Sequence, residues 1–246
     1  MKKLFTVGVI GLLMLEIANV YFIMPMPGSQ RMRSIDMAYT IYGWRWASRL
    51  LFGTMIVAGV LPMWRTSNST RWFAPLGLIL VVGITYAFNF RMSADHMFLQ
   101  PTRVTMATAN KNTVAQDRLV VGIELNGDAR AYPLQFIGYH HQVRDTVGGQ
   151  PVLVSYCTAC RTGRIFTPAV NGTPESFRLV GMDHFNAMFE DERTGSWWRQ
   201  ATGEAITGVL KGLRLREGHQ PEIAHRHRHG VVAGQVVGCW AHGEQP

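Results

Sequence analysis

Three long apolar stretches constrain this chain more than any other feature of its sequence. They run Leu4–Met24, Ser48–Trp64 and Trp72–Phe90, and each is between 17 and 21 residues long. A helix needs about 20 mainly apolar residues to cross a bilayer. Aromatic residues lie near the ends of the stretches, where membrane proteins carry aromatic belts: Trp44, Trp46, Trp64, Trp72 and Tyr86. The sequence therefore predicts three transmembrane helices and the lipid bilayer as a partner.

The charge of the chain is unevenly distributed, and the distribution argues against nucleic-acid binding. The formal net charge is +8, from 24 basic and 16 acidic residues. Residues 1–96 carry nine basic residues against three acids, whereas residues 97–246 carry fifteen against thirteen. Basic residues beside apolar stretches are typical of membrane proteins, and the second part has no basic stripe of the kind that binds nucleic acid. No nucleic-acid partner is expected, and the sequence identifies no protein partner.

The amino end and the flanking charges set the expected topology. Lys2 and Lys3 followed by an apolar run resemble a signal peptide, but no small-x-small cleavage site follows, which favours an uncleaved anchor. Basic residues are equally frequent on the two sides of the predicted helices, so the positive-inside rule gives a tie. We expect Lys2 and Lys3 to be cytoplasmic, because they precede the first helix to insert. That topology predicts a multi-pass protein of the plasma membrane with an extracytoplasmic globular part.

One acidic residue, Glu16, lies near the middle of the first predicted helix. A charge at that depth is costly and can mark an ion or proton path. The alternative is a carboxyl group that is neutral, or paired with a neighbouring helix, and that holds the bundle together. The sequence favours this alternative, because no second ionisable residue is expected inside a predicted helix.

From about residue 97 the pattern changes to short strands separated by glycine turns. Leu119–Leu125 has the composition of a buried strand, and the following Asn126-Gly127 is a strong hairpin signal. A short helical piece is expected around Phe185–Phe189. The pattern predicts three transmembrane α-helices followed by a β-rich α+β globular domain. The expected organisation is a membrane domain at 1–96, a globular domain at 97–216 and a divergent, disordered tail at 217–246.

Six blocks of the globular part occur in a fixed order. They are Val121–Pro133 (VGIELNGDARAYP), Tyr139–His141 (YHH), Arg144–Gly149 (RDTVGG) with Pro151, Tyr156–Cys160 (YCTAC), Asp191–Ser196 (DERTGS) and Thr202–Ile206 (TGEAI). Together they cover roughly residues 119–215 and resemble the domain-of-unknown-function family numbered 3179. The three predicted helices ahead of them resemble a membrane-anchored subgroup. The family name states no activity, so the resemblance implies only an extracytoplasmic placement, since relatives commonly carry an export signal or a membrane anchor.

Two of the three cysteines form the motif Cys157-Thr158-Ala159-Cys160 between two predicted strands. Two thiols this close can bind one metal ion or exchange a disulfide. A metal knuckle has this form, whereas thiol exchange usually places the first cysteine at the start of a helix. Here Gly163 and the strand-like Arg164–Phe166 follow, so no helix is predicted. Arg161 and Arg164 are expected to favour a thiolate by their charge.

The first functional hypothesis is a metal site, and it needs ligands beyond the two thiols, because a structural tetrahedral site has four. The predicted ligands are Cys157, Cys160, His140 and His184, with zinc, iron or copper as the ion. The second hypothesis is a thiol–disulfide oxidoreductase that uses Cys157 and Cys160. A scaffold without chemistry and a Cys-His nucleophile arrangement remain as further alternatives.

The tail carries the remaining cysteine and a run of histidines. Cys239 is expected to be a free thiol without a role. His225, His227 and His229 alternate, which would place three imidazoles on one face of a strand as a metal trap. Arginines stand between them and repel a cation, so a solvated tail is favoured.

Overall fold

The chain divides into two units, Met1–Met97 and Phe98–Pro246. The computed structural model describes residues 2–64, 72–101, 104–108, 111, 114–115, 118–218, 222–225 and 236–241. The first unit is helical and the second is built mainly from strands.

Helices form the first unit because they satisfy every backbone polar group internally, as a bilayer requires. Helix α1 is Lys2–Tyr21, α2 is Ile35–Trp64, α3 is Phe73–Tyr86 and α4 is Ala94–Met97; a 3₁₀ turn lies at Ser29–Arg31, and α3 continues as a π-helical turn at Ala87–Arg91. Among the described residues, three helices are long and apolar enough to cross a membrane: Lys2–Tyr21, Ile35–Met63 and Phe73–Arg91. The prediction of three membrane helices is confirmed.

The second of these helices begins earlier than the apolar stretch does. Helix α2 starts at Ile35, whereas the apolar stretch starts at Ser48. Arg45 and Arg49 lower the hydropathy of the segment, but arginine is a good helix former. Hydropathy alone therefore underestimates the length of this helix.

Small residues let α1 pack closely against α2. A Cβ atom at Gly11 would lie 2.3 Å from the ring of Phe52, and one at Gly59 would lie 2.7 Å from the backbone of Phe5. Packing through small residues is a common way for helices to associate in a bilayer. The buried apolar cluster of this unit includes Phe5, Leu12, Ile56, Met63, Ala74 and Val81.

Glu16 links the three helices through a buried polar cluster. Its side chain is 1% exposed, and Arg49 of α2 donates to its two carboxylate oxygens at 2.7 and 2.9 Å. Asn89, in the π-helical turn, donates to the same carboxylate at 3.0 Å and accepts from Arg49 at 2.7 Å. Glu16 is thus paired with neighbouring helices, as expected. The expectation that no second ionisable residue lies inside a helix is wrong, because Arg49 lies near the middle of α2.

Fourteen strands and one helix are described in the second unit, which confirms the prediction of a β-rich α+β domain. The strands are β1 Thr105–Ala107, β2 Leu119–Leu125, β3 Asp128–Pro133, β4 Gln142–Val147, β5 Gln150–Cys157, β6 Thr162–Phe166, β7 Ala169–Val170, β8 Thr173–Pro174, β9 Phe177–Asp183, β10 Asn186–Asp191, β11 Trp197–Arg199, β12 Glu204–Thr207, β13 Glu222–His225 and β14 Val236–Ala241; helix α5 is Leu134–His140. They form a five-stranded sheet in the order β1-β14-β3-β2-β13, a three-stranded sheet β4-β5-β6, a four-stranded sheet β12-β11-β10-β9 and the pair β7-β8.

Strand β5 has different neighbours on its two faces. Val154 and Tyr156 belong to a buried apolar cluster with residues of β2, β3 and α5. Ser155 and Cys157 point to the opposite face, since successive side chains of a strand alternate. There they contact residues that follow β9 and β11 in the chain. The three-stranded sheet is therefore a middle layer, and the motif of two cysteines lies at its end.

The hairpin predicted at Asn126-Gly127 is confirmed. Strands β2 and β3 pair antiparallel, and Leu125 lies opposite Asp128. Both turn residues have positive φ, 49° and 78°, as a type I′ turn requires.

A second two-residue hairpin replaces the helical piece predicted around Phe185–Phe189, and that prediction is wrong. Strand β10 pairs antiparallel with β9, with Asn186 opposite Asp183. His184 and Phe185 form the turn between them, with φ of 48° and 62°. Neither residue type favours a left-handed conformation strongly enough for the turn to be predicted from the sequence. The pairing of β9 with β10 therefore determines the conformation of this segment.

Two segments of the stretch expected to be a disordered tail form strands. Strand β13 pairs with β2, and β14 pairs with both β1 and β3. Of the tail residues considered for chemistry, His225 belongs to β13 and Cys239 to β14. His227 and His229 lie outside the described residues.

Candidate functional site

The two cysteines of the Cys-x-x-Cys motif lie at the tight turn between β5 and β6. Cys157 is the last residue of β5 and pairs with Thr162, the first residue of β6. The turn is short because Arg161 adopts a positive φ of 51°. Both thiols are free; Cys157 is fully buried, whereas Cys160 is partly exposed. The expected turn between two strands, with no following helix, is what the chain forms.

The surroundings of the Cys160 thiol favour its protonated form. The Cys157 thiol donates to the carbonyl oxygen of Phe185 at 3.7 Å. Burial raises the pKa of the Cys160 thiol, and a hydrogen bond with Cys157 raises it further, while hydrogen bonds with Thr162 act in the opposite direction. The expectation that nearby arginines favour a thiolate at Cys160 is therefore wrong.

Arg164 has partners other than the thiols. Its guanidinium donates to the carbonyl oxygen of Ala201 at 2.9 Å and pairs with the carboxylate of Glu217 at 2.8 Å. Its field at the thiols is consequently compensated by an acid.

His140, the first predicted histidine ligand, lies at the end of α5 and is buried, with 4% of its surface exposed. Its Nδ1 donates to the carbonyl oxygen of Leu99, and its own carbonyl oxygen accepts from Gln100 at 2.8 Å. These contacts hold the segment around residues 99 and 100 against α5. The described contacts of His140 therefore support a structural role.

His184, the second predicted histidine ligand, lies in the β9–β10 turn and is 45% exposed. Its Nδ1 donates to Asp183 at 2.6 Å, and Asp183 also pairs with Arg199. The residue after His184 is Phe185, whose carbonyl oxygen meets the Cys157 thiol. The fold thus brings the backbone of this turn to the cysteine pair.

Of the four predicted ligands, the structure places Cys157 and Cys160 together. Within the described part of the chain, no three side chains of His, Cys, Asp or Glu are grouped so that they could hold a metal ion. The complete four-ligand set is therefore not assembled in this conformation. The metal hypothesis stays a prediction.

Three buried polar residues beside Cys157, namely Gln142, Ser155 and Gln200, form a row that was not predicted from the sequence. Gln200 is fully buried and donates to the Ser155 hydroxyl at 3.0 Å and to the Thr162 carbonyl oxygen at 3.1 Å. Gln142, opposite Ser155 in the sheet, donates to the Phe177 carbonyl oxygen at 2.7 Å. A serine two positions before a cysteine, in an otherwise apolar strand, is the sequence signal for this row, because both side chains face the same way.

Other parts of the recognised blocks build the fold. Asp145 of β4 accepts from Arg130 at 2.8 and 2.9 Å and from the Tyr132 hydroxyl at 2.7 Å. Asp128 accepts from the Gly148 amide at 3.0 Å. This network joins β3 to β4 and to the turn after β4, so these acids and bases are structural in the described contacts.

The Asp191–Ser196 block is a second structural network. Asp191 is fully buried and accepts from the backbone and hydroxyl of Thr194, at 2.7 and 2.8 Å. It also accepts from the indole of Trp198 at 2.9 Å. The turn between β10 and β11 therefore depends on an acid that has no solvent contact.

The comparison with protein families decides the identity of the second unit. Residues 99–224, just over half of the chain, match the family described as protein of unknown function (DUF3179). The chain belongs to this family. The three membrane helices of this DUF3179 protein lie outside the matched residues, so the membrane-anchored subgroup stays a prediction. No curated protein and no solved structure matches the chain.

Proposed function

We propose that the DUF3179 domain of this protein is a thiol–disulfide exchange module in which Cys157 and Cys160 cycle between dithiol and disulfide. The observation that carries the proposal is the contact between two reduced thiols in one short turn, one buried and one partly exposed. Neighbouring thiols that can be reached from solvent are the minimum that exchange requires. In this function a disulfide of a polypeptide or of a small thiol compound is the co-reactant, and its reduction balances the oxidation of the pair.

The proposed topology agrees with this chemistry. We place Lys2 and Lys3 in the cytoplasm, so that three spans bring the DUF3179 domain to the other side of the plasma membrane. Disulfides form and persist in such oxidising compartments. A reporter fused after Arg91 tests the placement: activity of a periplasm-type reporter supports it, and activity of a reporter that works only in the cytoplasm contradicts it.

The metal hypothesis is the main alternative use of the same thiols. A zinc, iron or copper ion held by Cys157 and Cys160 would need His140 or His184 to complete its ligand set. His184 is half exposed and belongs to the turn that meets Cys157, so a movement of this turn is the simplest route to a third ligand. A domain that uses neither chemistry would be a scaffold.

One experiment separates the three functions. The full-length protein is purified in detergent with Cys239→Ser, so that the remaining thiols are those of the pair, and a Cys157→Ser/Cys160→Ser version serves as the control. Thiols are counted before and after treatment with oxidised glutathione and then with dithiothreitol, while metal content is measured by mass spectrometry.

Exchange predicts that about two thiols per chain disappear on oxidation and return on reduction, with unchanged circular dichroism. About one zinc, iron or copper ion per chain, lost in the control, would establish the metal function instead. Thiols that neither oxidise reversibly nor hold metal would leave only the scaffold.

A further inference from the structure

The two thiols of the pair differ in how a second molecule can reach them. Cys157 has no exposed surface, and its side chain lies on the face of β5 that meets the β9–β10 turn. Cys160 follows two exposed residues of the turn, Thr158 and Ala159, and is itself partly exposed. A substrate sulfur can therefore reach Cys160 more readily than Cys157.

The elements around the pair hold this difference in place. Ser155, two residues before Cys157 on the same face, is fully buried under the Gln200 amide. On the other face of β5, a Cβ atom at Gly138 of α5 would lie 3.0 Å from the side chain of Thr158. Cys157 is thus enclosed by packed elements, whereas Thr158 and Ala159 of the turn are exposed and Cys160 is partly exposed.

The order of the thiols differs from that of motifs in which a helix follows the first cysteine. In those motifs the helix N-terminus lowers the pKa of the first thiol and makes it the nucleophile. Here strand β6 follows the motif at Thr162, so no helix end favours Cys157. Access to the sulfur also governs exchange rates, so it is the remaining difference that determines which thiol attacks first.

From this asymmetry we infer that Cys160 is the thiol that attacks the substrate and that Cys157 is the resolving thiol. The inference rests on the proposed exchange function. The Cys160 thiolate attacks one sulfur of a substrate disulfide, the S–S bond breaks, and one substrate thiolate leaves. Cys157 then loses its proton and attacks the Cys160 sulfur of the mixed disulfide. The second substrate thiolate leaves, and the products are one Cys157–Cys160 disulfide and two substrate thiols.

The test uses the full-length Cys239→Ser protein in detergent and the aromatic disulfide 5,5′-dithiobis(2-nitrobenzoic acid) as the probe. Three chains are compared: the intact pair, Cys157→Ser and Cys160→Ser. The intact pair is expected to release two thionitrobenzoate ions and to keep no adduct. Cys157→Ser is expected to release one and to keep a stable mixed disulfide at Cys160. Cys160→Ser is expected to react at least tenfold more slowly, because its thiol is buried.

A second measurement requires no substitution in the pair. The intact pair is alkylated with less than one equivalent of iodoacetamide, and the labelled cysteine is located by peptide mass spectrometry. The inference predicts label mainly at Cys160, and it therefore remains testable even if Cys157→Ser does not fold.

The outcomes separate the inference from the function on which it rests. Label mainly at Cys157, or a Cys160→Ser chain that reacts as fast as Cys157→Ser, would overturn the order of the thiols while exchange by the intact pair still stands. Two stable adducts on the intact pair, with no internal disulfide, would overturn the exchange function itself.

Discussion

At the scale of single residues, Cys160 is distinguished by a thiol pKa that is raised rather than lowered. Burial and the hydrogen bond with Cys157 both raise the pKa of the Cys160 thiol. A thiol of this kind is a slow nucleophile at neutral pH, because the thiolate is the attacking species. The proposed exchange is therefore expected to be slow at neutral pH.

This pKa predicts how Cys160 reacts with iodoacetamide. The rate should keep rising with pH beyond the midpoint of free cysteine, about 8.5, and at neutral pH it should be roughly tenfold lower for each unit by which the pKa is raised. Cys157→Ala removes the thiol hydrogen bond and should move the midpoint back toward that of free cysteine. Rates measured from pH 6 to pH 10 in the Cys239→Ser background check this; a wild-type midpoint below that of free cysteine would contradict it.

His141 gives a second prediction at this scale. It is 4% exposed, caps α5 with a φ of 64°, and has a pKa that is lowered mainly by burial and also by the neighbouring His140. The neutral form is favoured in the fold, so its contribution to stability is present above the unfolded pKa of about 6.5 and is lost as pH falls below that value toward the folded pKa. His141→Asn keeps a residue type that tolerates positive φ but does not titrate.

The thermal unfolding midpoint of the detergent-solubilised protein measures this effect. Between pH 7.5 and pH 5 the midpoint of the wild-type protein should fall more steeply than that of His141→Asn. Equal slopes for the two proteins would show that His141 is not responsible.

At the scale of elements, polar hubs join strands that are distant in the chain. Asp145 of β4 accepts hydrogen bonds from the Arg130 guanidinium and the Tyr132 hydroxyl of β3. Asp191 accepts hydrogen bonds that hold the turn between β10 and β11. Buried charges are tolerated when they are paired and hydrogen-bonded. Several residues of these sequence blocks therefore hold the strands and turns together in the described contacts.

Removing the Tyr132 hydroxyl should show how much its hydrogen bond with Asp145 contributes to the free energy of unfolding. Tyr132 is fully buried, and its hydroxyl donates to Asp145 at 2.7 Å. Hydrogen bonds to charged groups contribute about 1.5–3 kcal/mol, so Tyr132→Phe should lower the free energy of unfolding by about that amount. Tyr139→Phe is the matched control, because Tyr139 is 42% exposed, and it should change the value by less than about 0.5 kcal/mol. Urea unfolding followed by tryptophan fluorescence compares them; equal effects would argue against the hub.

At the scale of the whole molecule, the chain combines a helical unit suited to a bilayer with a sheet-rich unit that belongs to the DUF3179 family. The helical unit depends on the cluster of Glu16, Arg49 and Asn89, which satisfies a buried charge with partners from two other helices. Such a cluster specifies which helix faces meet. It also leaves both carboxylate oxygens of Glu16 occupied, which argues against a free ion path.

Breaking this pair should destabilise the helical unit. Glu16→Leu leaves Arg49 buried without its charge partner, and the loss of one member of a buried pair costs about 3–5 kcal/mol. Glu16→Leu/Arg49→Leu removes both charges and should recover most of that loss. Unfolding of the full-length protein in mixed micelles, followed by circular dichroism, compares the variants with wild type. A double variant as unstable as the single one would show that the charge pair is not the cause.

The sequence by itself determined the features that depend on local composition and period. Three apolar stretches of sufficient length predict the membrane helices, and Asn126-Gly127 predicts a hairpin, because a two-residue turn needs residues that accept positive φ. The family resemblance of the second unit also follows from linear blocks. The helix expected around Phe185–Phe189 failed because its strand partner, β9, overrides the local pattern.

Tertiary structure decided what each chemical group faces. The sequence places Cys157 and Cys160 three residues apart, but the packing of β5 between two layers buries one thiol and leaves the other within reach of solvent. His140 and His184 were both candidate ligands in the sequence; the fold directs one toward Leu99 and the other toward Asp183. Burial and long-range contacts of this kind depend on which strands become neighbours, and no local pattern encodes that choice.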